Sequence, residues 1–590
     1  MNLPRSLMAA LVLPGFLAVQ LPSQSDRSAA IIREGMTRSE VMQFQDSLFH
    51  EYGSRLTGSL AYDRAADWAL EQFQAMGLEA RLEQWGEWQT GWDRGQWMGR
   101  MTAPHALELQ VACPAWTGST RGIARGELVP MPEDDAAFEQ LAARAAKLAE
   151  AGDGTGSDMP RATAGLWLYG PLPDRGNPLR ERVVELLEMP VLPVHGIVQS
   201  ATSTGWNSDR YENQIRVFGD RNTALLPFED RPRWAHAVVR DDQCKQLEEA
   251  LAGEEPVQVE FELRNRFRRG PIVLNNVVAD LVGTEYPDEY VIVCAHLDSW
   301  HQATGATDNG TGTCTTLEAA RILSKVGVKP KRTIRFILWG GEEQGLLGSR
   351  QHVVKNRTRM HKVSALFNHD SGTNWAHALR IPESQADDFR KIVQPILDNM
   401  QAPQANHEGP VFELRTVPVL QPAGGGSDHA SFGAVGVPAF GWSLKGEVPY
   451  GRGWHSQWDT WTIVVPDYQR HTATVIAVIA YGVANLDHML SREGVERARP
   501  RQRGPVTAQL VIESWLGIEL DGTKVTSVSA DSRAGAADLR AGDVITQIGE
   551  ETVGDTAEFL AALRKANEAG KTVKIQLSRG EQPVEVELTF

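Results

Sequence analysis

The chain has 590 residues and a formal net charge of −16. At roughly 150 residues per domain, this length predicts about three or four structural units rather than one small binding module. Hydrophobic residues make up 42% and charged residues 23%, which excludes a globally disordered, collagen-like or coiled-coil chain. The acidic balance leaves no broad basic surface for a phosphate backbone, so nucleic acid is not an expected partner.

Residues 1–20 have the pattern of a secretory signal peptide. Arg5 is followed by an apolar run from Leu7 to Val19, and a polar stretch comes next. Because the run is too short for a stable transmembrane helix, and no other stretch approaches about 18 uncharged apolar residues, we expect no stable membrane span after processing. The sequence predicts a secreted or periplasmic protein, with an uncleaved N-terminal anchor as the alternative.

The four cysteines lack the spacing of a zinc ribbon or a redox motif. They are Cys113, Cys244, Cys294 and Cys314, and no pair forms a CxxC pattern. Their number is also too small for a disulfide scaffold. The sequence leaves open whether they form up to two bridges or remain buried free thiols.

Residues 26–110 and residues 111–265 differ in their patterns. In the first region, Ala65 to Met76 has apolar residues at helical spacing, and residues 78–83 alternate like a strand. We therefore predict the N-terminal part of an α/β domain there. The second region has short apolar pieces and loose loops, and it repeats a strand–helix–strand order over residues 235–263. This change predicts an inserted domain.

Residues 266–490 alternate apolar strand runs with longer helical segments. The strand runs are Val291 to Cys294, Thr333 to Trp339 and Val363 to Phe367. Such alternation predicts an α/β fold with a mostly parallel mixed sheet, sandwiched by helices and carrying its chemistry at the carboxyl ends of the strands. An Arg-rich connector over residues 491–505 then predicts a boundary before a C-terminal domain at residues 506–590.

Candidate ligands follow these strands or lie in loops beside them. They are His296 and Asp298 after the first run, Asp308 in a Gly-rich loop, Glu342 and Glu343 after the second run, Asp370 after the third, and His455 shortly before Asp459. A single His or acid at a strand end is more often a cap or a surface group than a ligand. Several such groups at one edge of one sheet favour a metal site.

The chemistry of these side chains narrows the site further. Imidazole nitrogens and carboxylate oxygens bind zinc, manganese or cobalt, and two His with three acids suit two ions that share a bridging carboxylate. Adjacent Glu342 and Glu343 can divide the roles of base and ligand, because neighbouring side chains on an extended segment point apart. No HExxH, GxxxxGK[ST] or GxSxG motif occurs, so zincin, P-loop and serine-hydrolase assignments lack support.

Five motifs follow one another between residues 275 and 490. They are Ala295–Trp300 (AHLDSW), Gly305–Gly312 (GATDNGTG), Leu338–Gly345 (LWGGEEQG), Gly426–His429 (GSDH), and His455 followed by Asp459-Thr460. In order and spacing they resemble the M28 family of co-catalytic zinc metallopeptidases, in its carboxypeptidase Q-like branch. Gly53–Ser59 (GSRLTGS) also resembles an early segment of that family. The resemblance covers more than half of the chain and implies a zinc-exopeptidase fold.

The resemblance implies five metal ligands. Asp308 would bridge two zinc ions, and manganese or cobalt could take their place. His296 and Asp370 would complete one site. Glu343 and His455 would complete the other.

Four further positions receive roles from the same resemblance, and a fifth, Tyr450, is a candidate from the chemistry of its phenol alone. Glu342 would be the general base that deprotonates the metal-bridging water, and Asp298 would lie behind the first histidine and fix its tautomer. Asp428 and His429 would shape the site, although His429 is also a rival to the second histidine as a ligand. Tyr450 is a candidate for hydrogen bonding to the tetrahedral intermediate, with an ordinary loop tyrosine as the alternative.

The two remaining regions resemble known accessory domains. Residues 111–265 resemble a protease-associated domain, which in related peptidases roofs the active site and limits substrate length; the alternative is a lid that only stabilises the fold. Residues 506–590 resemble a PDZ domain. Its carboxylate-binding loop would be Trp515, Leu516, Gly517 and Ile518, and Trp515 departs from the usual residue there. This implies a C-terminal peptide ligand, with a passive packing module as the alternative.

The sequence therefore predicts an exported dinuclear zinc exopeptidase that hydrolyses short peptides and is of the aminopeptidase or dipeptidase type. Two alternatives stay open. One is a glutaminyl cyclase-like enzyme with a single zinc, against which the presence of both His296 and Asp370 counts. The other is a peptide-binding receptor whose peptidase domain is inert. The sequence also leaves open which terminus of the peptide is attacked.

Overall fold

The structure is a computed structural model, which describes residues 24–151, 165–174, 176–204, 211–421, 426–497, 512, 516–528, 532–569, 572–580 and 582–589. It divides into two compact units, residues 1–498 and 499–590. The predicted signal peptide, Trp515 and residues 498–505 of the predicted connector lie outside the described residues. Among the helices that are described, none is both long enough and apolar enough to span a membrane.

An eight-stranded mixed sheet forms the centre of the first unit. From one edge to the other its strands are Glu79–Asp93, Arg266–Leu281, Arg332–Trp339, Tyr286–His296, Val363–Asn368, Ala439–Lys445, Trp375–Pro382 and Glu413–Val417. The three pairings that join Arg332–Trp339 through to Ala439–Lys445 are all parallel. The outer pairings are antiparallel except the last, between Trp375–Pro382 and Glu413–Val417. The predicted α/β fold class is confirmed.

The middle strands of this central sheet are buried on both faces. Every residue of Val363–Asn368 is buried, and within Arg332–Trp339 only Arg335 is partly exposed. On Tyr286–His296, alternate residues enter two separate apolar clusters, one on each face. A strand covered on both faces has no polar side, which explains why these strands stand out in the sequence as continuous apolar runs.

Helices pack on the sheets of the first unit. The longer helices of the first unit are Gln24–Thr37, Leu60–Ala75, Asp135–Ala151, Pro178–Glu188, Asp241–Leu251, Thr311–Val326, Leu347–Lys355, Ala386–Asn399 and Pro466–Ala484. Short helices and single turns cover Val41–Asp46, Ser47–Tyr52, Ala201–Thr204, Asn222–Leu225, Phe228–Asp230, Ala306–Gly310, Arg357–Lys362, Glu383–Gln385, His429–Gly433, Tyr450–Gly453 and Trp461–Ile463. Thr311–Val326 and Pro466–Ala484 are buried over most of their length, so they are core elements rather than surface helices.

A second eight-stranded sheet, the accessory sheet, lies between residues 97 and 263 of the chain. Its order is Leu107–Leu109, Trp97–Ala103, Gln258–Leu263, Ala124–Pro130, Gly165–Tyr169, Val194–Ser200, Ala235–Val239 and Val111–Ala112. The chain leaves the central sheet after Glu79–Asp93 and returns to it at Arg266–Leu281, which pairs with the strand it left. The accessory sheet already begins at Trp97, before the boundary predicted at residue 111, and the domain boundaries stay predictions.

All four cysteines are buried free thiols. Burial raises the pKa of the Cys113 and Cys244 thiols to about 12. The alternative of two disulfide bridges is therefore excluded in this structure, and the thiols pack as small apolar groups.

The second unit contains a sheet with the strand order Ile518–Asp521, Lys524–Val528, Val544–Ile548, Thr572–Arg579 and Gln582–Thr589. Glu551–Thr552 pairs with Val544–Ile548, and two helices cover Arg533–Ala536 and Thr556–Ala569. Ile518–Asp521 lies at one edge of this sheet. Leu516 is fully buried, and Gly517 has a φ of 74°, a conformation that favours glycine.

A buried ion pair links helix Gln24–Thr37 to helix Thr311–Val326. Arg321 is 3% exposed and donates to the Glu318 carboxylate at 2.7 and 2.9 Å. It also donates to Glu34 at 2.9 Å and to the Arg38 carbonyl at 3.0 Å. Because Glu318 has no exposed side-chain surface, this arginine supplies its counter-charge.

We expect Arg321→Ala to lower the free energy of unfolding by about 3–5 kcal/mol, because Glu318 would be left buried without its partner. Denaturant unfolding of the full chain measures this loss. Arg390→Ala is the matched control, since Arg390 forms a pair of the same spacing with Asp387 but both side chains are more than half exposed. We expect a change below about 0.5 kcal/mol for the control, and equal effects in both variants would contradict the prediction.

Candidate metal centre

The parallel strands bring three parts of the predicted site to one edge of the central sheet. His296 is the last residue of Tyr286–His296. Glu342 and Glu343 follow the neighbouring strand on one side, and Asp370 follows the neighbouring strand on the other. Because adjacent parallel strands end at the same edge, residues up to 74 positions apart meet there.

Two groups of potential ligand atoms share one carboxylate. In the first group, His296 Nε2 lies 3.1 Å from Asp308 Oδ1 and 3.3 Å from Asp370 Oδ1. In the second, His455 Nε2 lies 2.8 Å from Asp308 Oδ2 and 3.0 Å from Glu343 Oε2. Asp308 therefore offers one oxygen to each group.

The geometry of these groups fits transition-metal ions. Ligand atoms about 2.0–2.2 Å from a tetrahedral zinc ion lie about 3.3–3.5 Å from one another, and the distances here approach that spacing. Each group has three protein side chains, which leaves a fourth position for water or substrate, as catalytic zinc sites require. Among the residues that the structure describes, these are the two groups of His, Cys, Asp or Glu suited to hold a metal ion.

Asp459 fixes the loop that presents the shared carboxylate. Its side chain accepts hydrogen bonds from the Thr307 N–H at 2.5 Å and the Asp308 N–H at 3.1 Å. Its backbone carbonyl accepts another from Thr304 N–H at 3.1 Å. The loops approach so closely that a Cβ on Gly453 would lie 2.6 Å from Thr307 Oγ1, so glycine is needed there.

Asp298 supports the other side of the centre. Its carboxylate accepts hydrogen bonds from the N–H groups of Glu342 and Glu343 at 3.2 and 3.1 Å, and from Thr57 Oγ1 at 3.0 Å. His296 Nδ1 lies 2.9 Å from the Asp298 carbonyl oxygen and 3.5 Å from its carboxylate. The hydrogen bond that orients this ring is therefore made by the main chain, while the carboxylate holds the turn that carries the two glutamates.

Burial and mutual repulsion dominate the electrostatics of the centre. Burial and the Asp308 carboxylate raise the pKa of Glu343 to about 7. Burial also raises the pKa of Glu342 well above its usual range. For His455, burial lowers the pKa, but the carboxylates of Glu343 and Asp308 outweigh it and bring the value to about 10. Such a concentration of buried carboxylates favours cations.

Aromatic rings surround His455. The rings of Trp454, Phe218 and Trp300 lie 4.2, 5.3 and 6.3 Å from its imidazole, measured between centroids. Trp300 follows strand Tyr286–His296 of the central sheet, whereas Phe218 comes from the chain segment between two strands of the accessory sheet. The accessory region, which is the stretch of residues 97–263 that carries the accessory sheet, therefore forms part of the wall of the candidate centre.

Three other predicted residues lie close to the centre but outside both ligand groups. Asp428 is fully buried, and burial raises its pKa to about 7. His429 Nδ1 lies 3.4 Å from Asn368 Nδ2. Tyr450 keeps 38% of its surface exposed, and the Asp308 and Asp370 carboxylates lie near its phenol.

Residues 276–480 match Peptidase family M28, and residues 498–590 match the PDZ domain. The chain carries an M28 peptidase domain. This M28 domain contains both ligand groups and Glu342. The predicted family resemblance, the metallopeptidase class and the C-terminal PDZ domain are confirmed, while the role of each site residue stays a prediction.

The similarity to known proteins extends beyond the M28 domain. Carboxypeptidase Q from Mus musculus is 28% identical over 449 residues, which are 75% of this chain and 84% of that protein. Carboxypeptidase Q from Rattus norvegicus is 35% identical over 218 residues, 37% of this chain and 43% of that protein. A solved structure, the Peptidase M28 precursor from Shewanella amazonensis SB2B, has a TM-score of 0.51 at 20% identity and covers 79% of this chain and 98% of that chain. The last likeness shows a shared fold.

The sequence patterns predict the candidate ligands and the supporting Asp298, but not every residue that holds them in place. Arg55 is fully buried and donates to the carbonyls of Leu297, Thr304 and Gly305 at 2.7, 2.7 and 3.1 Å. It lies in the GSRLTGS segment, whose resemblance to the family assigns this arginine no role. The contacts of Asn213–Phe218 with the His455 loop had no sequence signal, because nothing in that segment resembles a motif.

We expect Asp459→Asn to weaken Zn²⁺ binding by about 10–100-fold, the usual cost of losing a group that orients a ligand. An amide offers one acceptor oxygen, so either the Thr307 or the Asp308 N–H would lose its partner. Competition with a chromophoric chelator measures the affinity. Asp467→Asn, at a half-exposed carboxylate, is the control and should leave it unchanged; unchanged affinity in Asp459→Asn would contradict the prediction.

Proposed function

We propose that the M28 domain is a dinuclear zinc exopeptidase that hydrolyses short peptides. The observation that carries this proposal is the shared carboxylate of Asp308, which gives one oxygen to each of two otherwise separate His-and-acid groups. A bridging carboxylate between two three-ligand groups is suited to a pair of ions a few Å apart. His296 and Asp370 would complete one ion site, and Glu343 and His455 the other.

Two zinc ions at these positions would acidify water and polarise the scissile carbonyl. Glu342 belongs to neither ligand group, although its backbone is held beside them by Asp298. Its carboxylate would accept the proton of the attacking water and return it to the leaving amine. The Tyr450 hydroxyl would donate a hydrogen bond to the carbonyl oxygen as it becomes negative. The peptide bond would thus be cleaved with one proton carried by Glu342.

The wall around His455 supports short substrates. Phe218 and Trp300 pack on each other at 5.4 Å between ring centroids and on the His455 ring, so aromatic rings border the second ligand group. We infer that such a bordered site suits a peptide terminus better than a folded protein. The relatives are named carboxypeptidase Q, while the predicted attack is of the aminopeptidase or dipeptidase type, so the terminus is decided by substrates with blocked ends.

The single-zinc cyclase alternative is less well supported. Both ligand groups are complete in the same structure, and a single-ion enzyme has no use for the second. Metal counting separates the two, since the cyclase alternative requires one zinc per chain. The inert-receptor alternative requires Glu342 to be dispensable.

We also propose that the PDZ domain binds peptide C-termini. Gly517 precedes Ile518–Asp521, which lies at the edge of its sheet. A peptide could add to this edge as a further strand while main-chain N–H groups of the Leu516–Ile518 loop hold its carboxylate. Export to the periplasm or the exterior is a third proposal and rests on the pattern of residues 1–20 alone.

We expect the full chain, supplied with Zn²⁺, to hydrolyse dipeptides with a free amino group and to leave N-acetylated dipeptides intact. Glu342→Gln should lower kcat/KM at least 100-fold with metal content retained, because the amide cannot take up the proton. Amine release measures hydrolysis, and elemental analysis of the same sample counts the metal.

Glu71→Gln is the control, since Glu71 lies on the exposed side of helix Leu60–Ala75. The activity of this variant should equal that of the wild type. Hydrolysis of N-acetylated dipeptides alone would refute attack from the amino end. An active Glu342→Gln variant would refute the assignment of the base.

For the PDZ domain, we expect fluorescein-labelled hexapeptides with free C-termini to bind the Glu342→Gln chain and their C-terminal amides not to bind. Gly517→Val should abolish binding, because a β-branched residue cannot adopt a φ of 74° without strain. Gly522→Val is the matched control, since Gly522 has a φ of 64° in a hairpin turn away from the loop. Equal binding by amides would contradict carboxylate recognition.

A further inference from the structure

The segment between residues 450 and 459 carries two groups of the candidate centre. His455 belongs to the second ligand group, and Asp459 holds the loop of the shared Asp308. His455 has a φ of 54°, a left-handed conformation that is disfavoured for a residue other than glycine. Such a backbone persists only when neighbouring contacts hold it.

Gln214 and Arg216, from the chain between two strands of the accessory sheet, hold the beginning of this segment. Gln214 Nε2 donates to the carbonyls of Gly451 and Arg452, both at 2.9 Å. Arg216 Nη2 donates to the Gly451 carbonyl at 2.9 Å, and its guanidinium lies 5.0 Å from the Trp454 ring centroid. Gln214 and Arg216 are 0% and 1% exposed, so these bonds are shielded from water.

A reciprocal pair of hydrogen bonds holds the other side of His455. Gln457 Oε1 accepts from the Ile215 N–H at 2.8 Å, and Gln457 Nε2 donates to the Asn213 carbonyl at 3.0 Å. Arg216 and Ser456 also form an isolated antiparallel bridge. The two segments therefore run side by side, with hydrogen bonds both before and after the histidine.

Phe218 completes these contacts at the imidazole itself. Its ring meets the His455 ring edge-on at 5.3 Å. Its carbonyl accepts a hydrogen bond from the Ala115 N–H at 2.9 Å, which anchors it next to the accessory sheet. The ring is thus held between the accessory region and the candidate centre.

We propose that Asn213–Phe218 is a clamp through which the accessory region positions His455 and so sets the affinity of the second ligand group for its metal ion. This inference rests on the proposed dinuclear function. None of the clamp residues is a ligand; they act through the backbone and ring orientation of His455. Groups that orient a metal-bound histidine typically control 10–100-fold in metal affinity.

A merely structural role for the clamp would have a different signature. If Asn213–Phe218 only covered apolar surface, weakening it would lower the stability of the fold without changing metal affinity. If it positions His455, weakening it should change metal affinity even in a chain that remains folded. Measuring both quantities on the same variants separates the two roles.

The test compares Gln214→Ala and Gln457→Ala with Gln243→Ala. Gln243 is also a buried glutamine of the accessory region that accepts a main-chain N–H bond, from Gln110, and donates to a main-chain carbonyl, that of Glu108, both at 2.7 Å. Gln243→Ala therefore removes main-chain hydrogen bonds of a buried glutamine, as Gln214→Ala does, at a place away from the centre. Gln457 is only half-buried, so its variant keeps the test informative if Gln214→Ala does not fold.

Zn²⁺ affinity is measured by competition with a chromophoric chelator, and stability by thermal unfolding of the same full-length samples. We expect one of the two Zn²⁺ ions to bind about 10–100-fold more weakly in Gln214→Ala and Gln457→Ala. In Gln243→Ala both affinities should stay within about 2-fold of the wild type.

Two outcomes would overturn the inference, and they are distinguishable. If the wild-type chain binds two Zn²⁺ ions, and Gln214→Ala and Gln457→Ala bind them equally well, the clamp is refuted and the proposed function is left intact. A wild-type chain that binds fewer than two Zn²⁺ ions would refute the dinuclear function and the inference together.

Discussion

The candidate centre depends on one buried carboxylate, that of Asp308. It lies 3.1 Å from the His296 nitrogen and 2.8 Å from the His455 nitrogen, so it joins two ligand groups that would otherwise be separate. The two oxygens must point in different directions from one fixed backbone position. Asp459 fixes this position by accepting hydrogen bonds from the N–H groups of Thr307 and Asp308. The close approach of Gly453 leaves the loop little freedom.

The fold makes it feasible to bury so many acids in one place. Glu343 and Asp428 have their pKa values raised to about 7 by burial, which shows the cost of removing carboxylates from water. Parallel strands buried on both faces provide a rigid base. The carboxyl ends of these strands direct side chains into the site without breaking the sheet. Cations at this edge would relieve the repulsion, so metal binding and the local fold should support each other.

The accessory sheet carries none of the predicted ligands, but the chain between two of its strands contacts the loop of His455. The chain leaves the central sheet and returns to the strand it left, and on the way it passes over the loop of His455. Hydrogen bonds from Gln214 and Arg216 therefore connect two regions more than 200 residues apart in sequence. A protein that lacked this inserted region could keep all five candidate ligands and still lack the contacts beside one of them, His455.

The amino-acid sequence by itself determined the fold class, the central strands and the identity of the candidate ligands. Strands such as Val363–Asn368 are apolar throughout because both faces are covered, and polar groups at their ends are conspicuous for the same reason. Only the tertiary structure decided that all four cysteines are free, that His296 is oriented by a main-chain carbonyl, and that Gln214 and Gln457 hold the loop of His455. The hydrogen bonds of His296, Gln214 and Gln457 end on main-chain atoms that every residue possesses, so no residue type or spacing predicts them.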